Sequence, residues 1–511
     1  MNLKITKLIE NDYYFFIFIF FSTILFHYFP FERASIGPDD FAFLTKENIL
    51  LENFIKLAPD RPLHYLFVEL QNIIISDNAF FGLIFNIAVN LLLLFTIYSF
   101  LTFFIKSKIN IILILIIYNF FLSKVEIYHY PIFSYPIIAN ILYLWSLIFF
   151  MKSFLGQFRY NILISTVLYL IAIFFYEIGF FIPLIFFIYT ITFKYEYFVK
   201  YLKIFFIFFF IAVIYYVYRE TNAFGFSDIP PTRNANFTDL KSSFASLFNI
   251  FGGRSFLRIT IYGYLQFFNI PKEWLISILF LDIIFLIIVY YFFQGLAFVK
   301  IEVKTIVFFF FILIIFLIPN ILVGGTGGRH TIIPIIFISL IIYIFLTKAK
   351  KYNILLIITV IGLQLIPNQG NNWTQIISSR INAEIYQSLD TELREELNQA
   401  DTVVFNRKSF ADNIDNQIII NPLNILHTYY GAQALENWGL RSKIYLKSNL
   451  PKNKIYISIN NPKEISKNKY IFKEHKNLNV NENLIKEKVI ESKNLLYIDF
   501  NKVFPNGFLI N

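Results

Sequence analysis

Residues 4–40, KITKLIENDYYFFIFIFFSTILFHYFPFERASIGPDD, decide the architecture of this chain. Lys4 and Lys7 precede an apolar run from Tyr13 to Pro30, and an acidic pair, Asp39-Asp40, follows it. The run is long for a signal-peptide core and carries no small-residue cleavage site, so it reads as a retained membrane anchor. The rest of the chain repeats the theme. It is 57% hydrophobic, with 66 Phe and 33 Tyr, and only 15% of its residues are charged, against about 25% in an ordinary soluble domain. The apolar residues fall in long runs split by short charged stretches, the pattern of a polytopic all-α membrane protein.

Eleven spans are expected, near 13–30, 79–105, 109–124, 135–151, 160–175, 178–193, 204–218, 273–298, 305–323, 331–347 and 352–367. Alternate connections hold Lys4/Lys7, Lys106/Lys108, Lys152/Arg159, Lys194/Lys200/Lys203, Lys300/Lys304 and Lys348/Lys350/Lys351, with only Glu10, Asp12, Glu196 and Glu302 against them. The first opposite-side loop, 31–78, reverses this bias. Positive-inside asymmetry therefore puts the N-terminus in the cytoplasm and, with an odd number of spans, the tail outside. Residues 160–193 read as two short crossings, with one interrupted helix as the alternative. The formal charge of +10 follows from these membrane-end lysines and the tail, and does not argue for nucleic acid. The chain has no Cys, which excludes disulfides, thiolate metal sites and Cys nucleophiles.

Three regions lie outside the spans. Loop 31–78 contains two amphipathic stretches, 41–56 and 62–77, suited to lying on a membrane surface. Loop 219–272 is rich in Gly, Asn and Pro and reads as irregular. The tail, 368–511, is long enough for a small domain. Its helical stretch 380–400 and its strand-like segments DTVVFN, KIYLKS, KIYISIN and LLYIDF predict an α/β fold. The division is thus 1–367 in the membrane and 368–511 outside.

Polar groups collect at the outer side in four clusters: GPDDFAFL (37–44), APDRPLHYLF (58–67), YEIGFFIPL (176–184) and GGTGGRHTIIP (324–334). Asp39 and Asp40 are candidate bases for deprotonating a hydroxyl acceptor, or a shared seat for a divalent cation, and they also suit a helix N-cap. Arg329 and His330 follow a Gly-rich turn whose backbone can approach a phosphate, and a guanidinium suits a departing phosphate. Glu177 sits at a break between apolar runs, where it either orients hydroxyls or marks where the chain surfaces. Arg61 and His64 are phosphate and substrate candidates, with an Asp60–Arg61 surface pair as the plainer alternative. Arg254 and Arg258 share a helical face if FGGRSFLR is helical, and serve as secondary phosphate candidates. Asp282 is the formal charge deepest in an apolar span. Metalloprotease, Walker A and nucleophile-elbow patterns are absent, and the six His are scattered.

These features together resemble the GT-C superfamily of integral-membrane glycosyltransferases: an N-in first helix followed by PDD, then DRPLHYLF, YEIGFFIPL and GGRHTIIP. The resemblance covers residues 1–367 by architecture. It implies a polyprenyl-phosphate-linked sugar donor, Asp40 or Asp39 as base, and Arg329 with His330 as the phosphate grip. The pair is Asp-Asp where protein mannosyltransferases have Asp-Glu, and no WWD motif of oligosaccharyltransferases is present, so a glycan or lipid acceptor is expected rather than protein.

The resulting expectation is an inverting glycosyltransferase of the bacterial inner membrane, acting on the periplasmic face. Two alternatives remain. An O-antigen polymerase or ligase would use a diphosphate-linked glycan and the arginines Arg219, Arg233, Arg254 and Arg258 of loop 219–272. A lipid or sugar transporter would rely on Asp282.

Overall fold

The computed structural model describes residues 12–28, 61–75, 79–121, 134–156, 158–221, 263–265, 270–293, 301–323, 332–348, 353–406, 454–475 and 485–503, with isolated positions 128, 261, 267 and 268. The described part is mostly helical. In chain order it contains α1 (Asp12–Thr23) with a π turn (Ile24–Tyr28), α2 (Pro62–Ile75), α3 (Ala79–Leu101), α4 (Lys108–Asn119), α5 (Ser134–Lys152), α6 (Phe158–Phe175), α7 (Ile182–Phe193), α8 (Phe198–Glu220), α9 (Lys272–Phe293), α10 (Val303–Val323), α11 (Ile332–Lys348), α12 (Asn353–Glu392) and α13 (Arg394–Gln399). Each expected apolar run carries a helix. Among the described residues six helices are long and apolar enough to cross a membrane, and the other five runs are apolar over shorter stretches.

The bundle is dressed for lipid. Phe206, Phe209, Phe210, Ile276 and Phe280 are all more than half exposed, a surface that water would penalise and hydrocarbon does not. At its centre lies α4, whose residues from Asn110 to Asn119 are all buried. A helix that is apolar on every side belongs inside, and α4 packs against α1, α3 and α11. Polar side chains bond across helices where lipid cannot compete. Ser146 on α5 and Ser165 on α6 each donate to the other's carbonyl at 2.8 Å. Tyr28 Oη donates to Asn86 Oδ1 at 3.0 Å, and Asn119 Nδ2 donates to Thr23 Oγ1 at 3.1 Å.

Contacts along the helices settle how residues 160–193 run. Phe158 and Tyr169 on α6 meet Tyr201 and Phe208 on α8, and Phe174 meets Tyr215 and Tyr218. Thus α6 runs parallel to α8. Phe180 meets Tyr216 while Phe187 meets Phe205 and Phe198, so α7 runs antiparallel to α8. The chain therefore reverses at residues 176–181, which makes two antiparallel helices and not one interrupted helix. Residues 176–181 and the C-terminal end of α8 share one end of the bundle. At the opposite end Lys152 lies over Trp145 and Phe149, Lys200 over Phe158 and Lys304 over Phe193. Three of the basic stretches counted from sequence are thereby gathered at one end.

Three expectations are corrected. The stretch 62–77 is not simply a surface helix, because α2 buries His64, Val68 and Gln71 and packs against α3, α5 and α6. The last span does not end at 367. Instead α12 runs 40 residues through Pro367, with Asn368, Gln369, Asn371 and Asn372 buried. The amide of Asn368 donates to Phe120 O at 2.8 Å and that of Asn372 to Phe26 O, where the π turn leaves carbonyls outside the α-helical ladder. Finally, Arg219 belongs to the last turn of α8 and not to a loop.

In the tail, β1 (Thr402–Asn406) lies between β2 (Lys454–Ser458) and β6 (Leu495–Ile498), parallel to both. The strands β3 (Lys463–Ser466), β4 (Lys469–His475) and β5 (Ile485–Glu491) add antiparallel pairs about β4, and a short α14 (Phe500–Val503) follows. DTVVFN, KIYISIN and LLYIDF thus form strands, and 380–400 is helical as expected. KIYLKS lies outside the described residues, as does the stretch 41–56.

Candidate functional site

Arg61 immediately precedes α2, whose first helical residue is Pro62, where a missing N–H costs nothing. The buried positions 64, 68 and 71 recur at steps of four and three, and Arg61 lies three residues before the first of them. It therefore continues the inward-facing stripe. Its guanidinium meets Glu177, with Nε on Oε2 at 2.7 Å and Nη2 on Oε1. This two-pronged pair replaces the Asp60–Arg61 surface pairing as the role of Arg61, and Asp60 lies outside the described residues.

Glu177 is held by the reversal between α6 and α7. Tyr176 is extended, at φ −163° and ψ 119°, and Glu177 opens a short 3-10 turn closed by Phe180 N–H donating to Glu177 O at 2.9 Å. Two tyrosines clamp that turn from below: Tyr143 Oη donates to Tyr176 O, and Tyr169 Oη donates to Phe180 O at 3.0 Å. Gly179 is required there, because a Cβ would overlap the Tyr143 ring. Aromatic rings enclose the ion pair. Arg61 Cζ sits 4.7 Å from the Tyr176 ring centre, Tyr176 meets Tyr135 edge-on at 5.8 Å, and Tyr135 stacks on His64 at 3.7 Å. Burial works against the Glu177 charge, but the Arg61 guanidinium and its hydrogen bonds win, and the carboxyl is pushed down to about 2.

Beside this turn, an apolar groove of about 730 Å³ runs between α7 and α8. Phe180 and Phe181, in the turn before α7, line its Glu177 end on one side and Tyr216 of α8 on the other; Phe187 and Leu202 line its far end. Ala212 and Phe205 are buried, whereas Phe206, Phe209 and Tyr216 stand exposed along it. Arg219 lies one turn beyond Tyr216, within electrostatic reach of Glu177.

Of the sequence-derived candidates, the structure brings Glu177, Arg61 and His64 into one cluster. Asp39, Asp40, Arg254, Arg258, Arg329 and His330 lie outside the described residues, and with them the divalent-cation seat at Asp39/Asp40. Among the described residues no group of three or more His, Asp and Glu side chains is placed to hold a metal ion. Asp282 is buried at the middle of α9, beside Gln369 of α12. Sequence reasoning missed Tyr135 and Tyr143, which are lost among the 33 tyrosines in the chain, and it assigned Arg219 to loop 219–272 by ending the span at 218.

Comparison of the chain with protein-family models, with curated proteins and with solved structures finds no match.

Proposed function

We propose that this chain is a membrane glycosyltransferase that takes a sugar from a polyprenyl-phosphate carrier and passes it to a glycan or lipid acceptor at the outer face of a bacterial inner membrane. The observation that carries this reading is the length and position of the groove between α7 and α8. From Leu202 to Tyr216 the helix rises about 21 Å at ~1.5 Å per residue. One leaflet of a ~30 Å hydrocarbon core supplies only about 15 Å. The groove is longer than one leaflet is deep, so the head-proximal isoprene units of a polyprenyl carrier fit along its whole length. Each methylene sheltered there contributes about 0.8 kcal/mol. The groove ends beside the Arg61–Glu177 pair, at the end of the bundle opposite the lysine-rich turns. Positive-inside bias makes that end the outer one.

The chemistry asked of the site is modest. A carboxylate, Asp40 or Asp39, removes the acceptor proton as the acceptor oxygen bonds to the anomeric carbon. The carbon–oxygen bond to phosphate breaks from the opposite face, so the configuration inverts and the polyprenyl phosphate leaves with both electrons. Because Glu177 balances the charge of Arg61 and holds its Nε and Nη2, this pair acts as a positioning element that fixes the reversal and the groove mouth. The test is transfer by purified full-length protein in lipid nanodiscs with a labelled polyprenyl-phosphate sugar. Transfer is expected in the wild type, and loss in Asp39→Asn or Asp40→Asn. Full transfer by both variants sinks the mechanism.

Asp282 favours a second reading, a transporter whose intramembrane carboxylate moves with its cargo. Flux in liposomes abolished by Asp282→Asn, with Asp40→Asn silent, would select it.

A further inference from the structure

Pro367 sits inside α12 and has no N–H, so the carbonyl of Leu363, one turn earlier, loses its ladder donor. Leu363 is more than half exposed, and hydrocarbon offers that carbonyl no other donor. A side chain supplies one: Tyr264 Oη donates to Leu363 O at 2.8 Å, from 99 positions away. Tyr264 belongs to the helical residues 263–265 near the end of loop 219–272. Gly263 beside it and Gly370 of α12 let the two backbones touch, because a Cβ on either would overlap a carbonyl of the other segment. Phe267, one turn further on, is buried with its backbone N against Gly370. These residues form a strap over the Pro367–Gly370 face of α12. The chain then enters α9, which holds another face of the same helix through Leu286 at Gly362 and Trp274 at Trp373.

We propose that this strap is a releasable clamp coupling loop 219–272 to the C-terminal domain, with the Tyr264 hydroxyl as its catch and Pro367 as the joint it locks. The strap lies lightly on the helix: Ile261, Leu265 and Phe268 are exposed, so opening it uncovers little apolar surface besides Phe267. Helices bend at proline, and the closed strap both satisfies the freed carbonyl and braces the helix at that point. On the tail side of the joint, Asn368 and Asn372 donate to Phe120 O and Phe26 O, which gives the closed state one defined position. Beyond them α12 is a lever. One residue separates it from α13 and two separate α13 from β1, so a change of bend passes to the sheet with little slack. From Pro367 to Glu392 is 25 residues, or about 37 Å of helix, and a change in bend of ~20° carries the far end about 13 Å. The device needs no sugar-transfer chemistry, so its test stands apart from that of the function proposed above.

The chain has no Cys, so a pair of spin labels can be placed cleanly. Lys467→Cys, between β3 and β4, and Glu220→Cys, at the end of α8, are both at exposed positions. Pulsed dipolar spectroscopy on the full-length protein in lipid nanodiscs then reads the distance distribution between tail and bundle. With no further change the labelled pair should give one narrow distribution. Tyr264→Phe keeps the ring and deletes only the catch, and it should shift or broaden the distribution on the scale of about 10 Å. Adding Pro367→Ala returns an N–H to Leu363 O, so the Tyr264→Phe/Pro367→Ala double variant should be narrow again. Phe268→Ala, at an exposed position of the same strap, should leave the distribution unchanged. A Tyr264→Phe distribution identical to that of the parent pair overturns the clamp. Broadening that persists in the double variant, or that Phe268→Ala also produces, overturns the pairing of catch and joint.

Discussion

Removing either partner of the Arg61–Glu177 pair should be among the most damaging changes available outside the bundle core. Arg61→Met leaves Glu177 ionised and enclosed by Tyr176 and Tyr135, and Glu177→Gln leaves the guanidinium in the same enclosure. Stranding one member of a buried pair costs about 3–5 kcal/mol. The lowering of the Glu177 carboxyl from 4.5 to about 2, with attraction to Arg61 outweighing burial, points the same way. The Arg61→Met/Glu177→Gln double variant strands no charge, so the two losses should fail to add by about 2–3 kcal/mol. The sign of the pH effect follows from the same shift. Glu177 ionises more readily folded than unfolded, so its contribution is complete above about pH 4.5 and disappears as pH falls toward about 2. Thermal unfolding of the detergent-solubilised protein, followed by circular dichroism from about pH 7 to about pH 3, reads both effects. The acid-sensitive part should be missing in Glu177→Gln. Single variants that lose less than about 1 kcal/mol, or losses that simply add, would refute the claim that the pair is coupled and enclosed.

Three further outcomes follow from neighbouring geometry. Gly179→Ala should destabilise by about 1–3 kcal/mol, because the new methyl group overlaps the Tyr143 ring that clamps the turn; an unchanged melting curve would show that the turn has room. Asn372→Ala should cost about 1–3 kcal/mol by stranding the Phe26 carbonyl, and Asn372→Asp should do no better, since a carboxylate cannot donate to that oxygen. Asp282→Asn should hold or raise the melting temperature, because it removes the charge of a buried carboxylate and leaves an amide able to pair with Gln369; a marked drop would mean that the charged carboxylate has a stabilising role.

Much of the membrane part was legible from composition and spacing. Apolar runs announce helices because a bilayer offers no hydrogen bonds to an unpaired backbone, and every expected run does carry one. YEIGFFIPL was readable as a break because a charge and a Pro interrupt otherwise unbroken hydrocarbon. The end of the last span was misread for a complementary reason. PNQGNNW (367–373) is polar, and polarity in sequence suggests water. In the folded chain those amides are buried on carbonyls of the π turn and of Phe120. The strands β3, β4 and β5 escaped notice because KEIS, KYIFKEH and IKEKVIE carry too many charges to look like strands before their pairing is known.

By itself the sequence determined that this chain is a multi-helix membrane protein with its lysines segregated to alternate turns. Hydropathy and charge act locally, and each run reports its own preference for lipid or water. Only the tertiary structure decided that Arg61 reaches across 116 positions to Glu177 and that residues 160–193 double back. Those facts depend on which helix lies beside which, and side-chain packing between distant segments sets that arrangement.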